Sequence, residues 1–308
     1  MTDLAEPTPT AADELAEMNE MLGLAETPES LGRQAWNRFR RHRLAIIGVA
    51  LLFILVVGFF VGEWLSPYAI DQTNVADRKL GPSLDHPFGT DALGRDYFVR
   101  AMTGGQFSIR IAALTALLTT LLGTVLGSIA GFYGKWLDST ISFVINVLLS
   151  VPLILVLIIM GRKFGLDPLS VAILLSLLSW TRAARLVRAQ TIQLKETEFV
   201  QAARAAGAGS FRIVTRHLLP NIVGTLLVEI TLLAGTAIIL ESTLSFLGLG
   251  VQAPNTTLGT LISDSKGSID TAPWEVLIPG AIVTLIILSF NFIGDALRDA
   301  LDPKAGIE

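Results

Sequence analysis

The chain has 308 residues, of which 51% are hydrophobic and 16% charged, with 23 basic against 27 acidic side chains for a net charge of −4, and a mean hydropathy of +0.59. That is too apolar for a soluble domain of this length, and the slightly acidic balance, with no Lys/Arg stripe interleaved with aromatics, excludes a nucleic-acid partner. The absence of cysteine excludes disulfides, iron–sulfur clusters and thiolate chemistry, while His42, His86 and His217 are too scattered for a metal centre or a Ser-His-Asp triad.

Residues 1–32 carry eight carboxylates from Asp3 to Glu29 and no Lys or Arg, which predicts an acidic, disordered arm rather than a basic-headed signal peptide. Arg33, Arg38, Arg40, Arg41 and Arg43 then stand directly before the first apolar run. Such a cluster holds its end of a span in the cytoplasm. Span one is expected over Leu44–Gly62, closed by Glu63, Trp64 and the Ser66-Pro67 break, so that residues 33–62 form the basic cluster and first helix. The Asp-, Pro- and Gly-rich stretch 63–106 reads as an ordered loop outside the membrane. Span two, Ile111 to Gly134, places Gly123, Gly127 and Gly131 on one helical face, a spacing that favours close helix packing in lipid.

Span three, Ser139–Gly161, contains Pro152 and is expected to kink there. The uncharged part of span four is only 14 residues, Pro168–Thr181. Arg182, Arg185 and Arg188 follow on a broad face, from which they can snorkel to headgroups while the helix continues. Span five, Leu218–Leu240, holds Glu229 near its middle. Ser242–Ser263 is uncharged but broken by Gly248, Gly250, Pro254 and Asn255, so it reads as a re-entrant segment on the outer side. Span six, Val276–Gly294, is ended by Asp295, Arg298 and Asp299, and residues 304–308 form a tail.

The fold expected is therefore an all-α polytopic membrane protein of six transmembrane helices, with both termini cytoplasmic. Fifteen Lys/Arg then fall on inner segments and eight on outer ones, as the positive-inside rule requires. Residues 107–303 form a five-helix membrane domain, interrupted by a cytoplasmic segment, 190–220. In that segment Thr197 can cap a helix whose first turn carries Glu198, and Gln201-Ala202-Ala203-Arg204 continue it. Gly207 and Gly209 end that helix. Ser210 caps a second one from Phe211 towards Pro220. Two short helices with Phe199, Val200 and Phe211 as anchors and a small Ala202-Ala203 face make a compact knob suited to a groove on a partner.

The segment resembles the EAA loop of ABC importer permeases, with Gln201-Ala202-Ala203, Gly207 and Leu219-Pro220 in the motif's places and Gln201 replacing the usual Glu. Three further stretches resemble one branch of that superfamily, the dipeptide, oligopeptide and nickel permeases, and within it the C-type subunit. They are His86 to Asp96, with Gly89-Thr90-Asp91 and Gly94-Arg95-Asp96; Glu241 to Gln252; and Pro273-Trp274, Pro279-Gly280 and Phe290 to Pro303. The resemblance covers about Arg33 to Pro303. It implies a type I importer permease fold in a bacterial cytoplasmic membrane. The implied partners are a B-type permease, two ABC ATPase subunits, an external solute-binding protein, a peptide substrate and membrane lipid.

No Gly-x-x-x-x-Gly-Lys-Ser/Thr motif occurs. The chain is thus expected to bind no cofactor and to be no enzyme, ATP and Mg residing in the partner subunits. Residues Glu198, Gln201, Ala202, Ala203, Arg204, Gly207, Phe211 and Pro220 are the expected coupling loop. The Gly89–Asp96 block has two available roles: Asp91, Arg95 and Asp96 pairing locally to fix the start of span two, or contact with an external protein. Glu229, expensive at a helix centre, faces either a neighbouring helix or a substrate path. Glu241 is better placed as a cap or hinge for the broken segment than as a ligand to substrate. Two other functions fit parts of the sequence: an ion-coupled secondary transporter using Glu229, and the same importer carrying nickel chelates or haem-like cargo.

Overall fold

The computed structural model describes residues 31–164, 167–253 and 255–302, together with Met18. Apart from Met18, the acidic arm up to Ser30 lies outside the described residues, as does the tail 304–308. The elements are α1 (Leu31–Arg41), α2 (Arg43–Leu65), α3 (Tyr97–Tyr133), α4 (Lys135–Ser150), α5 (Leu153–Phe164), α6 (Pro168–Leu194), α7 (Glu198–Ala205), α8 (Ser210–Ile213), α9 (Leu219–Phe246), α10 (Leu258–Ser265) and α11 (Trp274–Leu301). A five-residue π turn, Val214–Leu218, joins α8 to α9. Among the described residues, five helices are long and apolar enough to cross a membrane, and α4 with α5 makes a sixth if the bent pair is one span.

Several boundaries differ from the sequence-based expectation. The loop expected to reach Gln106 ends at Asp96, whose carboxylate caps α3 by accepting from the Val99 N–H at 2.8 Å. At 1.5 Å per residue α3 is about 55 Å long, well beyond a hydrocarbon core of about 30 Å. Its charged turns therefore project past the apolar layer without breaking the helix. Span three is not one kinked helix: α4 and α5 meet at Val151-Pro152 with a bend of 81°. Span six runs on through Asp295, Arg298 and Asp299 to Leu301. α9 likewise continues through Ser242–Phe246 before Gly248, at φ +75°, turns the chain.

Each of the three arginines of α6 meets a polar group on a neighbouring helix. Arg188 makes a two-bonded pair with Asp138 of α4, one bond being 2.7 Å. Arg185 donates to the Asn146 Oδ1 at 2.9 Å. Arg182 lies 3.3 Å from the Glu229 carboxylate of α9.

The strongest packing is α3 against α6, and the sequence reason is the glycine face. A Cβ at Gly123 would sit 2.5 Å from the Ala183 Cβ, one at Gly127 2.5 Å from the Ala184 carbonyl oxygen, and one at Gly131 2.7 Å from the Thr191 Cβ. Three consecutive turns thus touch backbone to backbone, and Ala183, Ala184 and Val187 are fully buried in the seam. Around this pair, Phe59, Tyr97, Met102, Ile238, Leu258, Leu261 and Ile286 draw α2, α3, α9, α10 and α11 into one apolar core. Ile111, Leu157, Val171, Leu175 and Leu244 form a second between α3, α5, α6 and α9. Outward-facing side chains of α2 such as Ile46, Phe53, Ile54 and Phe60 are exposed, as a lipid-facing helix requires.

Gly127→Ala is expected to lower stability by about 1–3 kcal/mol, because the backbone oxygen it meets cannot move aside. Gly58→Ala, where nothing lies within 4 Å of the added Cβ, is expected to be neutral or stabilising by up to about 1 kcal/mol. Thermal unfolding of the solubilised chain, followed by size-exclusion, separates the two.

Candidate functional site

The knob between α6 and α9 has its own small core. Val200, Ile213 and Leu218 are buried, with Leu194, Ala208, Val214 and Phe132 packed against them. Val200 is therefore an internal anchor and not a docking residue, whereas Phe211 is 82% and Phe199 42% exposed. Glu198, Gln201, Ala202, Arg204, Gly207 and Pro220 are also exposed, and Ala203 is half-buried. One face of α7 thus closes the knob and the other is presented outward.

The turn between the helices is a Schellman motif. The Ala208 N–H donates to the Ala203 carbonyl at 3.0 Å and the Gly207 N–H to the Arg204 carbonyl at 2.9 Å, with Gly207 at φ +83°. Only a residue without a Cβ takes that conformation at no cost. The expected side-chain caps are absent. The Thr197 hydroxyl instead donates backward to the Leu194 carbonyl at 2.6 Å, and Gly209, not Ser210, precedes α8. Pro220 lacks the N–H that would continue the ladder to Arg216. The π turn lies just before it, and Asn221 Nδ2 donates to the His217 carbonyl at 2.7 Å.

Two side chains fix the knob to the bundle, Arg204 of the expected coupling loop and Lys195, which spacing alone did not single out. Lys195 Nζ donates to the Gly131 carbonyl at 3.0 Å, a cation at the negative end of α3. Arg204 places its guanidinium 5.6 Å from the centroid of Phe132. Phe132 follows directly on the glycine face, and that adjacency was the only signal of its role. The knob therefore rides on the ends of α3 and α6, and any tilt of that pair moves it.

At the opposite end of the bundle, the Gly89–Asp96 block folds as a tight brace. Asp91 Oδ1 accepts from the N–H groups of Leu93 (2.8 Å) and Arg95 (3.0 Å). Its Oδ2 accepts from Arg95 Nε (2.7 Å) and Arg100 Nη1 (2.6 Å). Burial by itself raises the Asp91 carboxyl, but those N–H groups, the Arg100 charge and the Arg95 side chain outweigh it and hold the group below its ordinary 3.8. Asp96 does not pair with Arg95: its second oxygen lies 2.8 Å from His86 Nδ1, and that ring stacks on Tyr68. Thr90 accepts from the Leu80 N–H at 2.9 Å. Gly89 (φ +76°) and Gly94 (φ +72°) make the turns, and a Cβ on Gly94 would overlap the Asn74 carbonyl at 1.7 Å.

The brace reaches the core through two residues that the loop assignment had hidden, Tyr97 and Arg100. The Tyr97 hydroxyl donates to the Glu275 carbonyl at 2.5 Å and lies 3.1 Å from the Ser265 hydroxyl. Arg100 Nη2 lies 3.6 Å from Asp264. Glu241 is buried in the same region, its Oε1 accepting from Ser245 and Thr257, each at 2.7 Å. Since Thr257 caps α10, Glu241 ties the broken segment back to α9. Glu229 lies twelve residues away on the same helix, about 18 Å along the axis; the two carboxylates do not meet, and Glu229 has Arg182 as its interhelical partner.

Asp91→Asn removes the close, buried counter-ion of Arg100 and leaves only the longer contact with the more exposed Asp264, and is expected to cost about 3 kcal/mol at neutral pH. In the unaltered chain the Asp91 contribution is fully present above 3.8 and is lost as pH falls through the depressed folded value. Unfolding temperatures of both chains across an acid series test both arms.

Residues 123–307 match the family of binding-protein-dependent transport system inner membrane components, and residues 30–82 match the N-terminal TM domain of oligopeptide transport permease C. The oligopeptide transport system permease protein OppC of Escherichia coli (strain K12) is 39% identical over 286 residues, covering 91% of this chain and 95% of that one. The dipeptide transport system permease proteins DppC of Bacillus subtilis (strain 168) and Alkalihalophilus pseudofirmus are 38% and 41% identical, covering 89% and 90% of this chain and 86% and 91% of theirs. A chain of the inward-facing MetNI methionine ABC transporter has the same fold with a TM-score of 0.52 at 19% identity, over 66% of this chain and 96% of that one. The charge pattern, the glycine-built helix pair, the knob and the family match agree: this multi-pass membrane protein belongs to the binding-protein-dependent transport permeases, as a C-type subunit of the OppC/DppC kind and not an enzyme.

Proposed function

We propose that the chain is half of the translocation pathway of an ATP-driven importer of di- or oligopeptides in a bacterial cytoplasmic membrane. The observation that carries this is the exposed knob, rigid in itself and seated on the ends of α3 and α6. The knob end faces the cytoplasm, in line with the fifteen inner cations, and the Gly89–Asp96 brace faces outward. α4 and α5 together form the third of six crossings, and both termini are cytoplasmic. Peptide as cargo is carried by the names of the relatives. Their family also sets aside an ion-coupled mechanism.

In this reading two ATPase subunits hold ATP and Mg in their own sites and receive the knob in their grooves. Glu198, Gln201, Ala202 and Arg204 supply the polar and small surface, and Phe211 supplies the apolar one. Closure of the ATPases pushes the knob, the α3–α6 pair tilts, and the outer end opens towards a loaded solute-binding protein. A B-type permease completes the pathway. Glu229 and Arg182 lie at the α6–α9 seam, where such a tilt alters the spacing of the two helices.

The test is ATPase activity of the complete transporter in lipid vesicles, with and without peptide-loaded binding protein. Phe211→Ala, which removes an exposed side chain and leaves the knob core intact, is expected to weaken ATPase docking by at least about 2 kcal/mol, about thirtyfold. Gly207→Asp is expected to assemble but lose the stimulation. Full stimulation in both variants would overturn the knob as the coupling element.

A further inference from the structure

The brace at the outer end borders a cavity that its bracing role leaves unexplained. About 590 Å³ in volume, this cavity opens between Ile70-Asp71, the residues around the start of α3 and the Gly248–Asp264 segment. That is within the usual size of small-molecule sites, about 300–1,000 Å³, and leaves room for a ligand of a few residues. Its wall carries both signs of charge, Arg95 and Arg100 with Asp71 and Asp264. The rest of its lining includes the hydroxyls of Ser245, Thr256 and Thr260.

The charges are only partly used by the protein. Arg95 spends Nε on Asp91, and its two terminal nitrogens make no hydrogen bond among the described residues. Arg100, 6% exposed, is fixed by Asp91 through Nη1. Its Nη2 stands 3.6 Å from Asp264, beyond hydrogen-bond length. The Asp264 side chain is 59% exposed, and Asp71 pairs with no cation among the described residues. The wall is also kept thin, because a Cβ at Gly250 would sit 1.8 Å from Ser245 Oγ.

A cavity of one sign selects a simple ion. Guanidinium and carboxylate groups around a hydroxyl lining complement a ligand that carries an ammonium at one end and a carboxylate at the other. We infer that this cavity is a receiving subsite for a short zwitterionic peptide, Arg95 and Arg100 facing its carboxylate and Asp264 and Asp71 its ammonium. The inference rests on the peptide-importer reading and names where this chain first meets the cargo. Bidentate donors of arginine suit a carboxylate, and a partly buried pair of charges binds more strongly than an open one.

The chain has no cysteine, so Ala253→Cys, at an exposed residue lining the cavity, introduces its one thiol. In the complete transporter in lipid vesicles, without binding protein, the rate of labelling of this chain by an impermeant maleimide is measured with trialanine and with N-acetyl-trialanine amide. Trialanine at ten times its Kd is expected to slow labelling about tenfold by simple occupancy, and the blocked peptide is expected to have no effect. Asp264→Asn, a substitution at an exposed side chain that leaves the Asp91 brace intact, and Arg95→Gln are each expected to remove most of the protection. Equal protection by both peptides, or by neither, overturns the subsite. So does protection given by the empty binding protein and unaffected by peptide, which would make the cavity a protein contact. ATP-driven import of trialanine by the same vesicles is read in parallel: import without protection defeats the subsite alone, and protection without import defeats the importer reading alone.

Discussion

The close approach of α3 and α6 is the constraint on which the rest of this structure depends. In lipid, apolar side chains gain little by leaving one hydrocarbon environment for another, so helices associate through close van der Waals contact. Gly123, Gly127 and Gly131 allow that contact by leaving Ala183, Ala184 and Thr191 no side chain to push against. Because the two helices touch over three turns, they move as one body. The knob hangs from one end of this body through Lys195 and Arg204, and Arg100 and Tyr97 brace the other. Both ends are thus tied by side-chain contacts to the same helix pair.

The two ends are built in different ways because they face different demands. The knob is held by a small apolar core and a glycine turn, and presents aromatic and polar side chains outward. Such a unit can be pushed without unfolding. The outer end is held by charge: Asp91 gathers two backbone N–H groups and two guanidinium groups, and Glu241 gathers two hydroxyls. A buried carboxylate without such donors would be costly; with them it fixes the loop to the helices in one geometry. The described residues on either side of position 254 are irregular, and Gly250 packs directly on Ser245 of α9 while Val251 is buried, so that protein covers this stretch of non-helical chain.

Much of this was legible in the sequence. Charge-free runs locate the long helices because a bilayer admits no unsatisfied backbone. The glycine period identifies a packing face, Gly207 marks a left-handed turn, and the motifs spread from Arg33 to Pro303 place the chain in its family. The alternating charges of Gly89–Asp96 correctly suggested a local pairing of Asp91 with Arg95. Helix ends were less legible, since a polar turn at the end of a long helix and a polar loop have the same composition. Tyr97–Gln106 was assigned to a loop for that reason, and Tyr97 and Arg100 with it.

What the sequence by itself determined is the rough position of the apolar helices, the small-residue face and the presence of an exposed helical knob, because each follows from local periodicity or from residues that permit only one conformation. Only the tertiary structure decided the partners. Arg182, Arg185 and Arg188 look alike in one dimension, yet each meets a different group, Glu229, Asn146 and Asp138. Asp96 gives up the neighbouring Arg95 for a helix cap and His86, and Pro152 breaks its span through 81° instead of kinking it. Charge and hydrogen-bond partners are chosen by distance in space, and in a bundle whose contacts join residues more than a hundred positions apart that distance is set by packing.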